Sequence, residues 1–297
     1  MKAIVTGGAG FIGSNLVDKL LSLNYDVVVI DNESSDAHDK FYWNEKSDNH
    51  KLDICDYENI RPLFNGVDLV FHVAAEARIQ PTLLNPILAA KSNFVGTCTI
   101  LQCAKEAGVK RVIYSSTSSA YGLSNDIPNT ETMQKDCLNP YSVTKVGGEE
   151  LCKMYTDLFG LETVFFRYFN VYGERQPIKG QYAPVIGIFI RQRDNGEDMT
   201  IVGDGEQRRD FTHVSDIVEA NVLAGNLSNK EVVGELFNIG TGENFSILEI
   251  KDFVGGNYIH IPPRKGEARI TLASNDKAKN ILGWQPKVKL KDWIKDK

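Results

Sequence analysis

Nowhere in the 297 residues does an apolar run approach the roughly 20 that a membrane-crossing helix needs, so no membrane partner is expected. No lysine or arginine tract stands out, and the formal net charge is −6. Both argue against a nucleic-acid or anionic-membrane partner, while leaving room for a basic pocket that takes a small anion. Cysteine is scarce: Cys55, Cys98, Cys103, Cys137 and Cys152 are odd in number and form no CxxC pair. They read as reduced thiols of a cytoplasmic protein, so neither a disulfide framework nor a metal site is expected. No signal peptide precedes the apolar run at Lys2–Thr6, and no internal repeat or low-complexity segment is visible. The remaining composition, 42% apolar and 24% charged, is that of a globular chain with two lobes or one large α/β unit.

Short apolar runs alternate with longer helical patterns. Strands are expected at 2–6, 26–31, 68–75, 111–116, 162–169 and 236–239, and helices at 11–24, near 89–108, 141–159 and 214–228. The strand runs lack polar alternation, as expected when both faces of a sheet are covered. Strand following helix implies right-handed crossovers and a parallel sheet. Residues 33–51 are polar and read as a surface loop. After about residue 171 glycine, proline and glutamine become frequent (Gly173, Pro177, Gly180, Gln181, Pro184), and 245–297 are similar. The expected division is 1–170 with 205–242 returning to it, and a smaller lobe from 171–204 and 243–297.

"TGGAGFIG", residues 6–13, follows the first strand and opens the first helix. Glycines at 7, 10 and 13 let the backbone approach a pyrophosphate, and the helix N-terminus offers free N–H groups and partial positive charge. The strand-turn-helix context turns a weak motif into a dinucleotide site. Asp31, 18 residues past Gly13, suits the adenosine ribose hydroxyls; with Glu33 it would repel a 2′-phosphate, favouring NAD over NADP. Asp53 and Ile54 follow a weakly patterned segment and fit either an adenine contact or an ordinary turn. The fold class expected is α/β, a Rossmann-type doubly wound parallel sheet with a smaller C-terminal substrate-binding lobe.

"NPYSVTK", residues 139–145, puts Tyr141 and Lys145 four apart at a helix start, on one face, with Pro140 in the first turn. An ammonium beside a phenol lowers its pKa from about 10, and a phenolate near neutrality is a usable general base. Upstream, the run ending at Tyr114 is followed by "SSTSSAYG", residues 115–122.

Together these features resemble the extended short-chain dehydrogenase/reductases, in particular the nucleotide-sugar epimerase group typified by UDP-glucose 4-epimerase, and the resemblance covers nearly the whole chain. It implies a catalytic set of Thr117, Tyr141 and Lys145. Thr117 would hydrogen-bond the sugar's 4-hydroxyl, Tyr141 would take its proton, and Lys145 would hold the nicotinamide ribose and tune Tyr141. It implies NAD contacts from Gly7, Gly10, Phe11, Ile12, Asp31, Asn32, Asp53, Ile54, Ala74, Ala75, Asn93, Ser115 and Tyr168 as well. The segments behind these are "HVAA" (72–75), the helix motif at Asn93 and Gly96–Thr97, and "RYFNVYG" (167–173), where Tyr168 and Phe169 flank the nicotinamide region. Substrate contacts are implied for Glu76, Arg78, Asn170, Arg209, Arg264 and Glu267. The two C-terminal arginines suit a diphosphate because a guanidinium binds its oxygens in pairs.

In dehydratases of this family acids follow the catalytic threonine; here Ser118 and Ser119 stand there, and serine has no useful acid or base near neutrality. The implied reaction is NAD-dependent C4 epimerisation of a UDP-hexose through a 4-keto sugar, without elimination. In relatives the side chain at the position of Thr271 limits room beside the sugar's C2 substituent. Thr271 is small, and residues 175–186 resemble members that handle N-acetylhexosamines, so glucose/galactose, N-acetylglucosamine and glucuronate series all stay open. So do an NAD-dependent sugar-nucleotide reductase or dehydrogenase and a non-catalytic NAD-binding protein. "LGWQP" (282–286) reads as packing, and 251–258 as trimmed where relatives carry a fuller helix. Relatives dimerise through the helices near 89–108 and 141–159. A homodimer is therefore expected, although Ile100, Leu101, Leu151 and Met154 could equally face the sheet.

Overall fold

Uninterrupted apolar runs form one parallel sheet with helices on both faces. The structure, a computed structural model, describes residues 1–178 and 183–297, so Gly180, Gln181 and part of the 175–186 segment lie outside the described residues. In chain order the elements are β1 (Lys2–Thr6), α1 (Phe11–Ser22), β2 (Asp26–Asp31), β3 (Asp48–Lys51), α2 (Tyr57–Ile60), β4 (Leu69–His72), α3 (Ile79–Leu84), α4 (Pro86–Ala90), α5 (Gly96–Ala107), β5 (Arg111–Thr117), α6 (Pro140–Phe159) and β6 (Glu162–Tyr168). Then come β7 (Val171–Tyr172), α7 (Val185–Asp194), β8 (Met199–Val202), β9 (Arg208–Asp210), β10 (Thr212–His213), α8 (Val214–Ala224), β11 (Leu236–Ile239), β12 (Asn244–Ser246), α9 (Ile247–Val254), β13 (Tyr258–Ile261) and α10 (Leu290–Lys295).

The sheet order is β3-β2-β1-β4-β5-β6-β11, with every neighbour parallel. Direction reverses between β1 and β4, where ligands of doubly wound sheets bind, outside the strands' carboxyl ends. The lack of alternation has its cause here. Ile4 packs with Val70, Val112, Ile100 and Leu101 on one face, while its neighbour Val5 packs with Phe71, Phe166, Leu16 and Ile217 on the other. Each strand residue thus has an apolar layer to enter, whichever way it points.

Three expectations change. Residues 33–51 are not all loop: Asp48–Lys51 pairs with β2 as the sheet's edge strand. Its sequence, DNHK, is polar because one side meets no further strand and its residues are largely exposed. The helix near 89–108 is broken into α4, a π-helical turn at Lys91–Val95, and α5. The helix expected over 214–228 ends at Ala224.

A third apolar cluster joins Tyr172, Phe189, Ile201, Phe211, Ile250 and Ile294. Trp284 of "LGWQP" instead packs beneath the large sheet, 1% exposed, its Nε1 donating to Asp216 O at 2.8 Å, so it is a packing residue. All five cysteines are free thiols. Among the described residues no helix is long and apolar enough to cross a membrane.

Candidate active site

The turn between β1 and α1 is built for close approach. Gly7 sits at φ +66°, and a Cβ there would lie 2.8 Å from the Ala74 backbone; at Gly13 a Cβ would lie 2.1 Å from Gly7 O. Gly10, Phe11 and Ile12 open α1, whose first N–H groups have no partner within the helix, and with Gly7 they line a cavity of about 260 Å³. Asp31, Asn32, Asp53, Ile54, Ala74 and Ala75 complete the expected walls. Asp31 already accepts the Ala9 and Glu33 amides at 3.1 and 2.8 Å, and burial raises its pKa. Asp53 does two things at once: it caps a turn through the Cys55 amide at 2.8 Å and lines the cavity. Glu33 turns away to Trp43 Nε1 (2.8 Å) and to Lys51 and does not line the cavity, whose acidic wall comes from Asp31, Asp53 and Glu76.

A second cavity of about 410 Å³ adjoins the first, sharing Ile12, Ala77, Arg78 and Val171. Thr117, Tyr141, Tyr168 and Asn170 lie in its walls at the carboxyl end of the sheet, and Arg209, Arg264, Glu267 and Thr271 come to it from the chain's C-terminal half. Asn170 holds φ +21° and donates through Nδ2 to Asp210 O (2.9 Å) and Thr271 Oγ1 (3.3 Å). Arg209 lies 3.5 Å from Glu267; burial lowers its pKa against that carboxylate's pull. Arg78 pairs with Asp36 at 2.8 Å.

Among the residues that the resemblance assigns to the site, Asn93, Ser115 and Lys145 line neither cavity, and Tyr168 lines only the larger one. Asn93 is fully buried and lines neither cavity: its amide brackets the Glu76 backbone, accepting from N at 2.7 Å and donating to O at 3.1 Å. Ser115 is buried against Tyr168 Oη at 3.1 Å. Glu76, expected on the substrate, lines the dinucleotide cavity instead. Lys145 lies 2% exposed beneath the floor, its Nζ 4.3 Å from the centre of the Tyr114 ring. Consequently the phenol of Tyr141 is not lowered by an ammonium. Burial raises it, and the Thr117 hydroxyl is what pulls it back. The sequence also gave no sign that Ser34, Ser35, Ala37 and His38 wall the dinucleotide cavity, since a polar irregular run carries no periodicity. His72 is no ligand: it bridges Thr6 Oγ1 (2.7 Å) and Thr97 Oγ1 (2.9 Å), and burial holds it neutral, down at about 3.

Burial pushes Lys145 down to about 7 from 10.5, with Cys152 and Glu149 opposing. Between those values the unfolded chain binds the extra proton, so this group's cost to stability is full below pH 7 and is relieved as pH rises. The half-buried thiol of Cys55, raised to about 11 from 9.0 by desolvation, acts in the opposite sense above pH 9. In urea unfolding at about pH 7 and about pH 8.5, the protein is expected to gain ~1–2 kcal/mol relative to Lys145→Met. A constant difference would mean that Lys145 is not buried as a strained ammonium.

Residues 3–240 match the pattern of the NAD dependent epimerase/dehydratase family. The chain belongs to that family. Its cofactor is NAD, and the glycine cradle, the small Ala74–Ala75 wall and the Asp31 carboxylate fit a dinucleotide. The chain is 38% identical to a putative UDP-glucose 4-epimerase of Methanocaldococcus jannaschii, over 98% of this chain and 95% of that protein. It superposes with a TM-score of 0.93 on the UDP-glucose 4-epimerase of Thermotoga maritima solved with UDP-glucose, at 37% identity over 99% and 96% of the two chains. It superposes at 0.89 on the UDP-glucuronic acid 4-epimerase of Bacillus cereus, solved with UDP-glucuronic acid and NAD, at 31% identity over 99% and 97%. The doubly wound sheet expected from the sequence is therefore this family's fold.

Proposed function

We propose that the chain is a UDP-hexose 4-epimerase. The observation that carries this reading is one cavity wall that holds Thr117 and Tyr141 together, followed by Ser118 and Ser119 rather than acids, beside a dinucleotide cavity. NAD, when bound, supplies a reversible hydride acceptor and donor for the sugar's C4. Gly7, Gly10, Phe11 and Ile12 would hold its pyrophosphate and Asp31 its ribose. Thr117 hydrogen-bonds the 4-hydroxyl, and Tyr141 moves a proton between that oxygen and its own Oη. Arg209 and Arg264 anchor the diphosphate while the 4-keto sugar turns about that link, and Asn170 fixes the near end. Ser118 and Ser119 offer no acid for loss of water.

The test is incubation with UDP-glucose, UDP-N-acetylglucosamine and UDP-glucuronate in parallel, following both the inverted sugar and free NADH. Epimer without net NADH supports the reading; NADH formed or consumed one-for-one with sugar makes the protein a dehydrogenase or reductase. UDP-glucose/galactose is placed first. Thr271 supports acceptance of a 2-acetamido group as well, because its short side chain is drawn back onto Asn170 Nδ2 and the Asp210 amide, each at 3.3 Å. Thr271→Tyr is expected to cut turnover of the N-acetylated substrate ~10-fold or more relative to UDP-glucose, read from kcat/KM on both. An unchanged ratio would show that this side chain does not face C2.

A homodimer is also proposed, on different residues from those first considered. Ile100 and Leu101 are fully buried under the sheet, and Leu151 and Met154 pack against the same cluster. Leu88, Phe94 and Val95 between α3 and α5, with Val143 and Leu158 on α6, stay exposed and supply the apolar face. Light scattering that gives a monomer at micromolar concentration would remove this proposal.

A further inference from the structure

The segment 262–268 runs from β13 to the bridge that Ile270 makes with Arg208. It is held at both ends by backbone bonds, from Gly203 N to Ile261 O (2.8 Å) and from Arg208 N to Arg269 O (3.0 Å). Between those ends its residues Arg264, Gly266, Glu267 and Ala268 wall the larger cavity. Two side chains reach this strap from the sheet's own helices. Asn139 Nδ2 donates to Gly266 O at 2.9 Å. Gln80 Nε2 donates to Lys265 O at 2.9 Å and lies 3.5 Å from Glu267 Oε1.

Asn139 is also the N-cap of α6: its Oδ1 accepts the Ser142 backbone N–H at 2.9 Å, and its own backbone N–H donates to Ser142 Oγ at 3.4 Å. It is 5% exposed, so both ends of its side chain are shielded from water. Capping by itself asks only for an oxygen, which serine or aspartate supplies equally well. The second bond needs a donor that reaches Gly266 O while the oxygen stays on the Ser142 amide; a hydroxyl carries donor and acceptor on one atom, whereas the asparagine amide carries them on two. The choice of asparagine two residues before Tyr141 is thereby explained by a task beyond the cap.

We infer that Asn139, with Gln80 beside it, is a positioning residue that clasps the 262–268 strap onto the first turn of the helix that carries Tyr141. The inference rests on the nucleotide-sugar reading of the cavity. A ligand gripped by Arg264 and Glu267 is then held in register with the phenol, and the ligand leaves when the clasp opens. Substrate retention and the placement of the catalytic helix share one side chain.

Asn139→Ser keeps a capping oxygen and removes the reach to Gly266. Calorimetry with UDP as probe is expected to show ~5-fold weaker binding, the loss of one shielded hydrogen bond. KM for the best UDP-sugar rises in parallel, kcat stays within about twofold, and the melting temperature stays within about 2 °C. Gln80→Leu weakens UDP binding in the same direction. Ser142→Ala damages the capping box but leaves the tie, so it lowers the melting temperature and spares UDP affinity. UDP affinity and KM unchanged in Asn139→Ser overturn the clasp, and so does a joint fall of kcat and melting temperature, which would make the residue a cap only. Failure of the unaltered protein to bind UDP overturns the nucleotide-sugar reading itself, and the clasp with it.

Discussion

Tyr141→Phe is expected to lower turnover of the best UDP-sugar about 10³-fold, within the range of a lost general acid–base group. UDP affinity and melting temperature should change little. The substitution deletes one oxygen. The ring stays in the first turn of α6, fixed there by the Asn139–Ser142 capping box, and Thr117 keeps its bond from the Ser119 amide at 3.1 Å. What disappears is the atom that exchanges a proton with O4. Burial raises this phenol and only Thr117 counters it, so in the protein alone Tyr141 holds its proton at neutral pH. Release of that proton during the reaction then depends on charge near the phenol, and Lys145, poised at about 7, is the group on the same helix face that can supply it. kcat measured against UDP calorimetry separates proton transfer from binding. Turnover undiminished by the substitution would move the proton to another group and remove the mechanism proposed here.

How far the site could be read in advance follows the physics of each signal. The glycine turn was legible because closeness to Ala74 and to Gly7 O excludes any side chain at 7 and 13. The sheet was legible because two covered faces demand unbroken apolar runs. β3 was not, since an edge strand whose residues face water has no reason to be apolar. Spacing put Tyr141 and Lys145 on one helical face, but it says nothing of depth: Lys145 lies over the Tyr114 ring under the floor, and Tyr141 opens into the cavity. Asn93 was read as a cofactor contact, and the structure gives it to the backbone of the wall at Glu76. A buried amide that holds a wall and one that holds a ligand look alike in sequence; their partners, 17 residues apart here, are set only by the packed fold.

Glu149→Ala should be the most destabilising of the substitutions considered, by ~3–5 kcal/mol in urea unfolding, because it strips a buried cation of its partner. Glu149 is 3% exposed on α6, one turn beyond Lys145 and two beyond Tyr141. It receives Arg167 Nε at 2.9 Å and Nη2 at 2.8 Å from β6, and the Ser116 hydroxyl at 2.5 Å from β5. Arg167 is itself fully buried, its guanidinium 4.6 Å over the Tyr121 ring, and its Nη1 finds no hydrogen-bond partner among the described residues. Without Glu149 that charge has one aromatic face left to offset its desolvation. The paired change Glu149→Leu with Arg167→Met removes both charges at similar volume and is expected to recover much of the loss, since the cost lies in the unpaired ion and not in the absence of a salt bridge. Activity should not recover with it. The carboxylate also fixes Ser116, next to Thr117, and its charge favours the Lys145 ammonium, so the stable double variant would keep the fold and lose the alignment of β5 with the catalytic helix. If single and double variants unfold at the same urea concentration, the pair does not carry the strain assigned to it.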